Sequence, residues 1–161
     1  MDHWIIRKIE KRDNQSSAAL IRAVFDEFNI PKVGTAYADP YLDLMFEEYN
    51  KPKSVYFVVE KNGKIIGGAG IAPLENEVET LCELQKMYFL SEARGLGIGS
   101  QMMHNCLQAA KDFGYEKCYL ETMPFMHDAQ KLYKKVGFEY ICSPMGSTGH
   151  VSCPVWMLKE L

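Results

Sequence analysis

A glycine-rich run between a strand pattern and a helix pattern is the part of the sequence whose residue types most directly suggest chemistry. Gly95, Gly97 and Gly99 lie within residues 94–100, and glycine permits backbone bends and a close ligand approach that side chains prevent. A helix that begins after such a loop directs unpaired N–H groups and the positive end of its dipole at one point. The sequence therefore predicts an anion site there, with phosphate as the expected ligand.

Two well-known phosphate-binding loops do not match this run. The pattern GxxxxGK[ST] is missing, and with it the lysine and the metal-binding hydroxyl of a nucleotide-hydrolysing P-loop. The dinucleotide fingerprint GxGxxG also fails, because Met102 stands where its third glycine would be. A purely structural turn stays open as the alternative to a binding loop.

The run has the form (Arg/Gln)-x-x-Gly-x-Gly directly after a strand pattern, and in this it resembles the GNAT superfamily of acyl-CoA-dependent N-acyltransferases. The resemblance implies that the loop binds the pyrophosphate of acetyl-CoA and that the preceding strand pairs with the pantetheine arm. The cofactor contacts implied on the strand are Met87, Tyr88 and Phe89, and those in the loop are Arg94, Gly95, Leu96, Gly97, Ile98, Gly99 and Ser100.

A second segment strengthens the resemblance. It reads Ala129-x-x-Leu132-Tyr133-x-x-x-Gly137-Phe138. In the superfamily the tyrosine protonates the departing CoA thiolate, so the resemblance gives Tyr133 a catalytic and cofactor-contacting role. A packed core aromatic is the alternative. Met126 stands where the family pattern has asparagine and is counted among the cofactor contacts.

Glu83 is the candidate general base. The strand pattern of residues 82–90 places Glu83 on the same face as Met87 and Phe89, at an offset from Arg94 where some superfamily members carry their base. A carboxylate there can take a proton from an incoming ammonium, directly or through water. A solvated strand glutamate is the alternative. Glu79 or Glu121 could also serve as the base.

The acceptor implied by the resemblance is the primary amine of a small molecule or a peptide, acetylated by direct transfer. A different function stays open: an acyl-CoA-binding regulatory module with weak or no catalysis. In the superfamily the helix pair near the N-terminus and the loop between its helices cover the acceptor pocket. The candidate contacts are Phe28, Tyr37, Asp39, Tyr49 and, from the C-terminal loop, His150.

The elements that must position these residues follow from periodicity and turn signals. Strands are predicted at 4–9, 54–60, 65–71, 82–90, 115–122, 138–142 and 151–158, with Asn62-Gly63 as a hairpin turn. Helices are predicted after an Asp13 cap, from Asp39-Pro40 to about Tyr49, from the glycine loop to Phe113, and around Tyr133. The resemblance implies an α+β fold with a mixed sheet of about seven strands, helices on both faces, and splayed central strands that receive CoA.

Length and composition indicate one domain over residues 1–161, since 47% of residues are hydrophobic and 24% are charged. A net charge of −3 without a basic cluster argues against nucleic-acid and membrane partners. Five cysteines without CxxC spacing indicate reduced thiols and a cytoplasmic location. His150 and Cys153 are too few ligands for zinc, so no metal is expected. A homodimer is left open.

Overall fold

The computed structural model describes residues 3–161 as one mixed seven-stranded sheet with helices on both faces. The strands are β1 Trp4–Lys8, β2 Val55–Lys61, β3 Lys64–Pro73, β4 Leu81–Phe89, β5 Lys117–Thr122, β6 Glu139–Ile141 and β7 Val155–Glu160. The α-helices are α1 Asn14–Phe28, α2 Met45–Tyr49, α3 Ile98–Asp112 and α4 His127–Lys135. The α+β architecture expected from the sequence is confirmed.

The first four strands form an antiparallel meander, and β2 and β3 are joined by the hairpin turn that the sequence predicts. Asn62 and Gly63 both have positive φ, 51° and 78°, which is the geometry that Asn-Gly favours in a two-residue hairpin. Beyond β4 the sheet continues in the order β5, β7, β6. The strand order thus places β4 and β5 side by side at the centre of the sheet.

The pairing of β4 with β5 is parallel and short. Only three residue pairs join them, from Leu81 with Lys117 to Glu83 with Tyr119. Both strands continue beyond these pairs, to Phe89 and to Thr122, with no further ladder between them in the described part of the chain. The splayed central strands expected from the sequence are therefore confirmed.

Two apolar clusters cover the opposite faces of the sheet. Side chains of α3, including Met102 and Cys106, pack with Tyr133 of α4 on one face. Ile21 and Phe25 of α1 and Met45 of α2 lie in the cluster on the other face. Because both faces are covered, polar groups at the centre of the sheet are shielded from water except at the cleft between β4 and β5.

Three local predictions are wrong. Asp39-Pro40 does not begin a helix: a single 3-10 turn at Leu42–Leu44 precedes the five-residue helix α2. The last strand begins at Val155 instead of residue 151. Asp13 precedes α1 but does not cap it with its side chain, because its carboxylate accepts hydrogen bonds from Arg7 at 2.7 and 3.0 Å.

Candidate active site

A cleft opens where β4 and β5 separate. Its β4 wall is formed by Leu84, Lys86, Met87 and Tyr88, its β5 wall by Leu120, Glu121 and Thr122, and its ends by residues that include Phe25, Met126, Tyr133 and Cys153. Elements from both faces of the sheet thus meet here. Several of the residues singled out in the sequence line the cleft, namely Met87, Tyr88, Glu121, Met126 and Tyr133.

A bulge in β4 changes which side chains share a face. Lys86 has φ +49°, and the pairing with β3 shifts between Gly68 and Gly70. After the bulge, Met87 and Phe89 pack on the same side as Cys82 and Leu84, while Tyr88 packs on the other. The prediction that Glu83 shares a face with Met87 and Phe89 is wrong, because an unbroken alternation was assumed where the strand has one extra residue.

The glycine loop leads directly into α3. Gly95 and Gly97 both have φ +77°, a conformation that side-chain-bearing residues rarely adopt. Gly99 instead lies inside α3, where an added Cβ would approach Leu132 to 3.1 Å. The first backbone bond of the helix runs from the Gln101 N–H to the Gly97 carbonyl at 3.3 Å. The N–H groups of Ile98, Gly99 and Ser100 therefore precede the helical ladder and remain free for a ligand.

Arg94 ties the start of this loop to α1. Its guanidinium donates to the Glu27 carboxylate at 2.5 and 2.9 Å and to the Phe89 carbonyl at 2.7 Å. It also lies 4.8 Å from the ring centroid of Phe28. The backbone N–H of Arg94 is bonded to the Ser91 carbonyl. The predicted phosphate contact of Arg94 stays a prediction, and the structure places Phe28 at this loop instead of beside the other acceptor candidates.

Glu83 lies on β4 where the pairing with β5 ends, with only 5% of its surface exposed. Burial raises the pKa of its carboxyl from 4.5 to about 7, although the Gln85 amide, which donates to Oε1 at 2.6 Å, opposes this shift. Gln85 in turn accepts a 2.6 Å hydrogen bond from the phenol of Tyr49. A carboxyl that titrates near neutrality is suited to take up a proton at physiological pH.

Of the two alternative bases, Glu79 lies on an exposed turn before β4. Glu121 lines the cleft, but its two carboxylate oxygens accept hydrogen bonds from Tyr119 and Thr148, at 2.7 and 2.6 Å. Glu83 is consequently the buried carboxyl of the three, since Glu79 is exposed and Glu121 is engaged by two hydroxyls.

A second group of charges surrounds Asp39. Its two carboxylate oxygens lie 2.7 Å from Lys86 Nζ and 2.8 Å from His150 Nε2. Burial opposes ionisation of Asp39, but these two partners outweigh it and lower its pKa. For His150 burial disfavours the cation, yet the contact with Asp39 raises the pKa overall. The C-terminal loop is thereby joined to the loop before α2, and Asp39 and His150 are brought together.

Tyr133 and Met126 occupy the α4 side of the cleft. Tyr133 is 5% exposed and packs edge-on against Phe138 at 6.0 Å. Burial raises the pKa of its phenol, so it remains protonated at neutral pH. Met126 immediately precedes α4 and packs against the cluster that contains α1. Tyr37, by contrast, is engaged with Phe25 at 5.6 Å between ring centroids.

Comparison with known proteins decides the family. The acetyltransferase (GNAT) family model matches residues 20–138, which is more than half of the chain. This chain belongs to the GNAT family.

A GNAT relative of high similarity is the uncharacterized N-acetyltransferase YjgM of Escherichia coli K12, 42% identical over 98% of this chain and 95% of that protein. Solved structures similar to that of this chain include a GNAT acetyltransferase from Staphylococcus aureus, with TM-score 0.87, 21% identity and 99% coverage of both chains. Another is the PaiA N-acetyltransferase of Thermoplasma acidophilum in complex with coenzyme A, with TM-score 0.68, 16% identity and 99% coverage of both. The protein is thus an acyltransferase with the GNAT fold.

Three residues of this candidate site were missed in the sequence. Lys86 and Gln85 read as ordinary strand residues, although two adjacent polar residues in the middle of a mostly apolar strand were an available signal. Cys153 was assigned to a strand but lies half-buried in a turn, where its N–H bonds the His150 carbonyl at 3.2 Å and its side chain lines the cleft. Burial raises the pKa of its thiol to about 12, so it is held as a poor nucleophile.

No helix in the described part of this GNAT chain is long and apolar enough to cross a membrane. Among residues 3–161 the structure also contains no group of three or more histidine, cysteine or acidic side chains arranged to hold a metal ion. All five cysteines are free thiols, of which Cys82, Cys106 and Cys118 are buried.

Proposed function

We propose that this protein transfers the acetyl group of acetyl-CoA to a primary amine by direct attack of the amine on the thioester. The observation that carries the proposal is the divergence of β4 and β5 after Glu83, which opens a cleft lined by Met87 on one side and Tyr133 on the other. Glu83 immediately precedes Leu84, which lines this cleft, and we infer that a strand base, a strand amide and a phenol act there together.

The residues present fit acetyl-CoA in two ways. The N–H groups of Ile98, Gly99 and Ser100 at the start of α3 are suited to the pyrophosphate, with the loop residues Gly95, Leu96 and Gly97 before them. The backbone of β4 beyond Glu83 has no ladder partner on β5 within residues 3–161, so Met87, Tyr88 and Phe89 are available to pair with the pantetheine arm. Acetyl-CoA supplies an activated acyl group whose C–S bond breaks as the amide bond forms.

The proposed catalytic roles follow from where protons are taken up and donated during the reaction. Glu83 takes a proton from the acceptor ammonium, directly or through water, and leaves a neutral nitrogen as the nucleophile. The backbone N–H of Met87, next to the bulge, donates to the thioester oxygen as negative charge develops there. Tyr133 donates its phenol proton to the departing sulfur. Because a thiol has a pKa of only about 8.5, this last step assists departure without dominating the barrier.

The acceptor residues are part of the same proposal. Asp39 and His150 are connected to the cleft through Lys86, which lines it and lies 2.7 Å from Asp39, and Tyr49 is included through its contact with Gln85. Tyr37 and Phe28 are weaker candidates for acceptor contacts, since Tyr37 packs against Phe25 and Phe28 lies against Arg94. A cytoplasmic location and a homodimer are kept as proposals.

The test is a thiol-release assay with acetyl-CoA and a panel of amines, combined with mass detection of the acetylated product. Release that depends on the amine, with one acetyl group per thiol, supports the proposal. Release at the hydrolytic background with every amine, despite tight acetyl-CoA binding, contradicts it and favours the regulatory module. Direct transfer also predicts that the protein mass is unchanged after incubation with acetyl-CoA alone, and that Cys153→Ser retains turnover.

A further inference from the structure

Lys86 is an unusual residue for its position. It lies in the middle of the central strand with φ +49°, a left-handed conformation that is unfavourable for a residue with a side chain. Its side chain is only 10% exposed and reaches the cleft. Burying an ammonium is unfavourable unless it is paired. A buried lysine at a strained bulge therefore indicates a role that a neutral side chain would not fill.

The partner of Lys86 is shared. Asp39 lies 2.7 Å from Lys86 Nζ and 2.8 Å from His150 Nε2, so one carboxylate serves two cationic side chains whenever His150 is protonated. Lys86 Nζ has three N–H donors. In the described part of the chain its other close contact is with the ring of Tyr49, whose centroid lies 5.9 Å away, and Glu83 acts on it only at longer range. Donor capacity and positive charge are thus left over on this side of the cleft.

Among the described residues, the neighbouring carboxylates of Glu83 and Glu121 form no ion pair with Lys86 or His150, which both pair with Asp39. Glu83 is held partly neutral around pH 7 by burial. Glu121 is engaged by the hydroxyls of Tyr119 and Thr148. A ligand with its own negative charge would therefore give Lys86 and His150 a second anionic partner beside Asp39.

We propose that the acceptor carries an acidic group a few bonds from its reacting amine, as an α-amino acid does, and that Lys86 and His150 bind this group. The inference rests on the proposed function and specifies its substrate class. A short series of contacts supports the short spacing: the Gln85 amide donates to Glu83 at 2.6 Å, the Tyr49 phenol donates to Gln85 at 2.6 Å, and Lys86 Nζ lies 5.9 Å from the centroid of the Tyr49 ring. The amine would lie at the Glu83 end of this series and the acid at the Lys86 end.

The first experiment needs no variant. Thiol release at saturating acetyl-CoA is measured for matched sets, each containing a free amino acid, its amide and its decarboxylated amine. Phenylalanine, phenylalaninamide and phenethylamine form one set, and methionine with its two analogues forms another. We expect kcat/KM to be at least tenfold higher for the acid. The amide has more unprotonated amine at neutral pH, so this preference would not arise from basicity. Equal or higher kcat/KM for the uncharged or decarboxylated member overturns the inference.

The second experiment assigns the preference to Lys86. Lys86→Met keeps the aliphatic stem and removes the charge, and we expect the acid-to-amide ratio to fall at least tenfold, chiefly through KM for the acid. Lys117→Met, an exposed strand lysine on β5, is the control and should keep the wild-type ratio. A Lys86→Met protein that retains the ratio contradicts the assignment. Acetyl-CoA affinity and thermal unfolding report whether the variant is folded, and Lys86→Gln replaces it if it is not.

The outcomes separate the two proposals. If no amine gives product, the proposed acetyl transfer fails, and the substrate class fails with it. If neutral amines, polyamines or peptides are acetylated as well as amino acids, acetyl transfer stands and only the acidic-acceptor inference is rejected.

Discussion

The phenol of Tyr56 donates a 2.8 Å hydrogen bond to the backbone carbonyl of Lys86, the residue at the centre of the β4 bulge. The Tyr56 ring reaches this carbonyl across β3 because two glycines leave room for it. An added Cβ at either Gly68 or Gly70 would lie 2.6 Å from a ring carbon of Tyr56. The glycines of β3 thus admit a side chain from β2 that holds the bulge of β4.

Tyr56→Phe is expected to loosen the bulge. The ring still fills its space, but the Lys86 carbonyl loses its partner, so we expect stability to fall by about 1 kcal/mol and kcat to fall severalfold. Urea unfolding and steady-state thiol release measure the two effects. Tyr115→Phe is the control, since Tyr115 makes an equal 2.8 Å bond to the Lys53 carbonyl away from the cleft. Equal kcat values in the two variants would contradict a role for Tyr56 in positioning the site.

Glu83→Gln is expected to lower kcat/KM by about a hundredfold above pH 7, a size typical of lost general-base catalysis. We expect wild-type kcat/KM to rise with pH near 7 as Glu83 ionises, and this rise should flatten in the variant. Activity is followed from pH 6 to 9. A rate unchanged over this whole range would remove Glu83 as the base.

The same variant is expected to be more stable than wild type at alkaline pH. The pKa of Glu83 is 4.5 when unperturbed and about 7 in the fold, so between these values the native state holds a proton that the unfolded state has lost. The contribution of this group to stability therefore falls as the pH rises through that window. We expect the gain from Glu83→Gln to be about 2 kcal/mol larger at pH 8 than at pH 5. Glu79→Gln, on an exposed turn, should show no such dependence in urea unfolding.

Gly97→Asp is expected to weaken acetyl-CoA binding at least tenfold, because it places a negative charge where the pyrophosphate would lie. Gly63→Asp is a closely matched control: the two glycines have φ +77° and +78°, and an added Cβ meets nothing within 4 Å at either. Both variants carry a similar backbone strain, but Gly63 lies in the β2–β3 hairpin. Titration calorimetry with acetyl-CoA distinguishes them. Unimpaired binding by Gly97→Asp would reject the loop as the phosphate site.

Tyr133→Phe is expected to reduce kcat about tenfold to a hundredfold while leaving acetyl-CoA affinity close to wild type. The ring and its 6.0 Å contact with Phe138 remain, and only the proton donor is removed. The leaving thiolate is stable enough to depart slowly without it. An unchanged kcat would support the alternative that Tyr133 is only a packed core aromatic.

The sequence predicted best those features of the fold that depend on residues adjacent in the chain, such as turns and the glycine loop. The order of strand, glycine loop and helix could be read directly, since the positive φ of Gly95 and Gly97 is a property that few other residues tolerate. The Asn62-Gly63 turn fixed the hairpin of β2 and β3 for the same reason. The family pattern added the splay of the central strands, which no periodicity contains.

Tertiary contacts decided where α2 begins, where β4 bulges and which charged side chains meet. Residues 39–49 carry helical signals, yet the Asp39 carboxylate is engaged by Lys86 and His150 and α2 begins only at Met45. The bulge at Lys86 depends on Tyr56 from another strand and on the glycines between them, so strict alternation along β4 could not reveal it. The sequence by itself thus determined the glycine loop and the order of the elements, because turn geometry is local. Only the folded chain decided which charges meet at the cleft, because His150 lies 111 positions beyond Asp39 in the chain and only packing brings the two together.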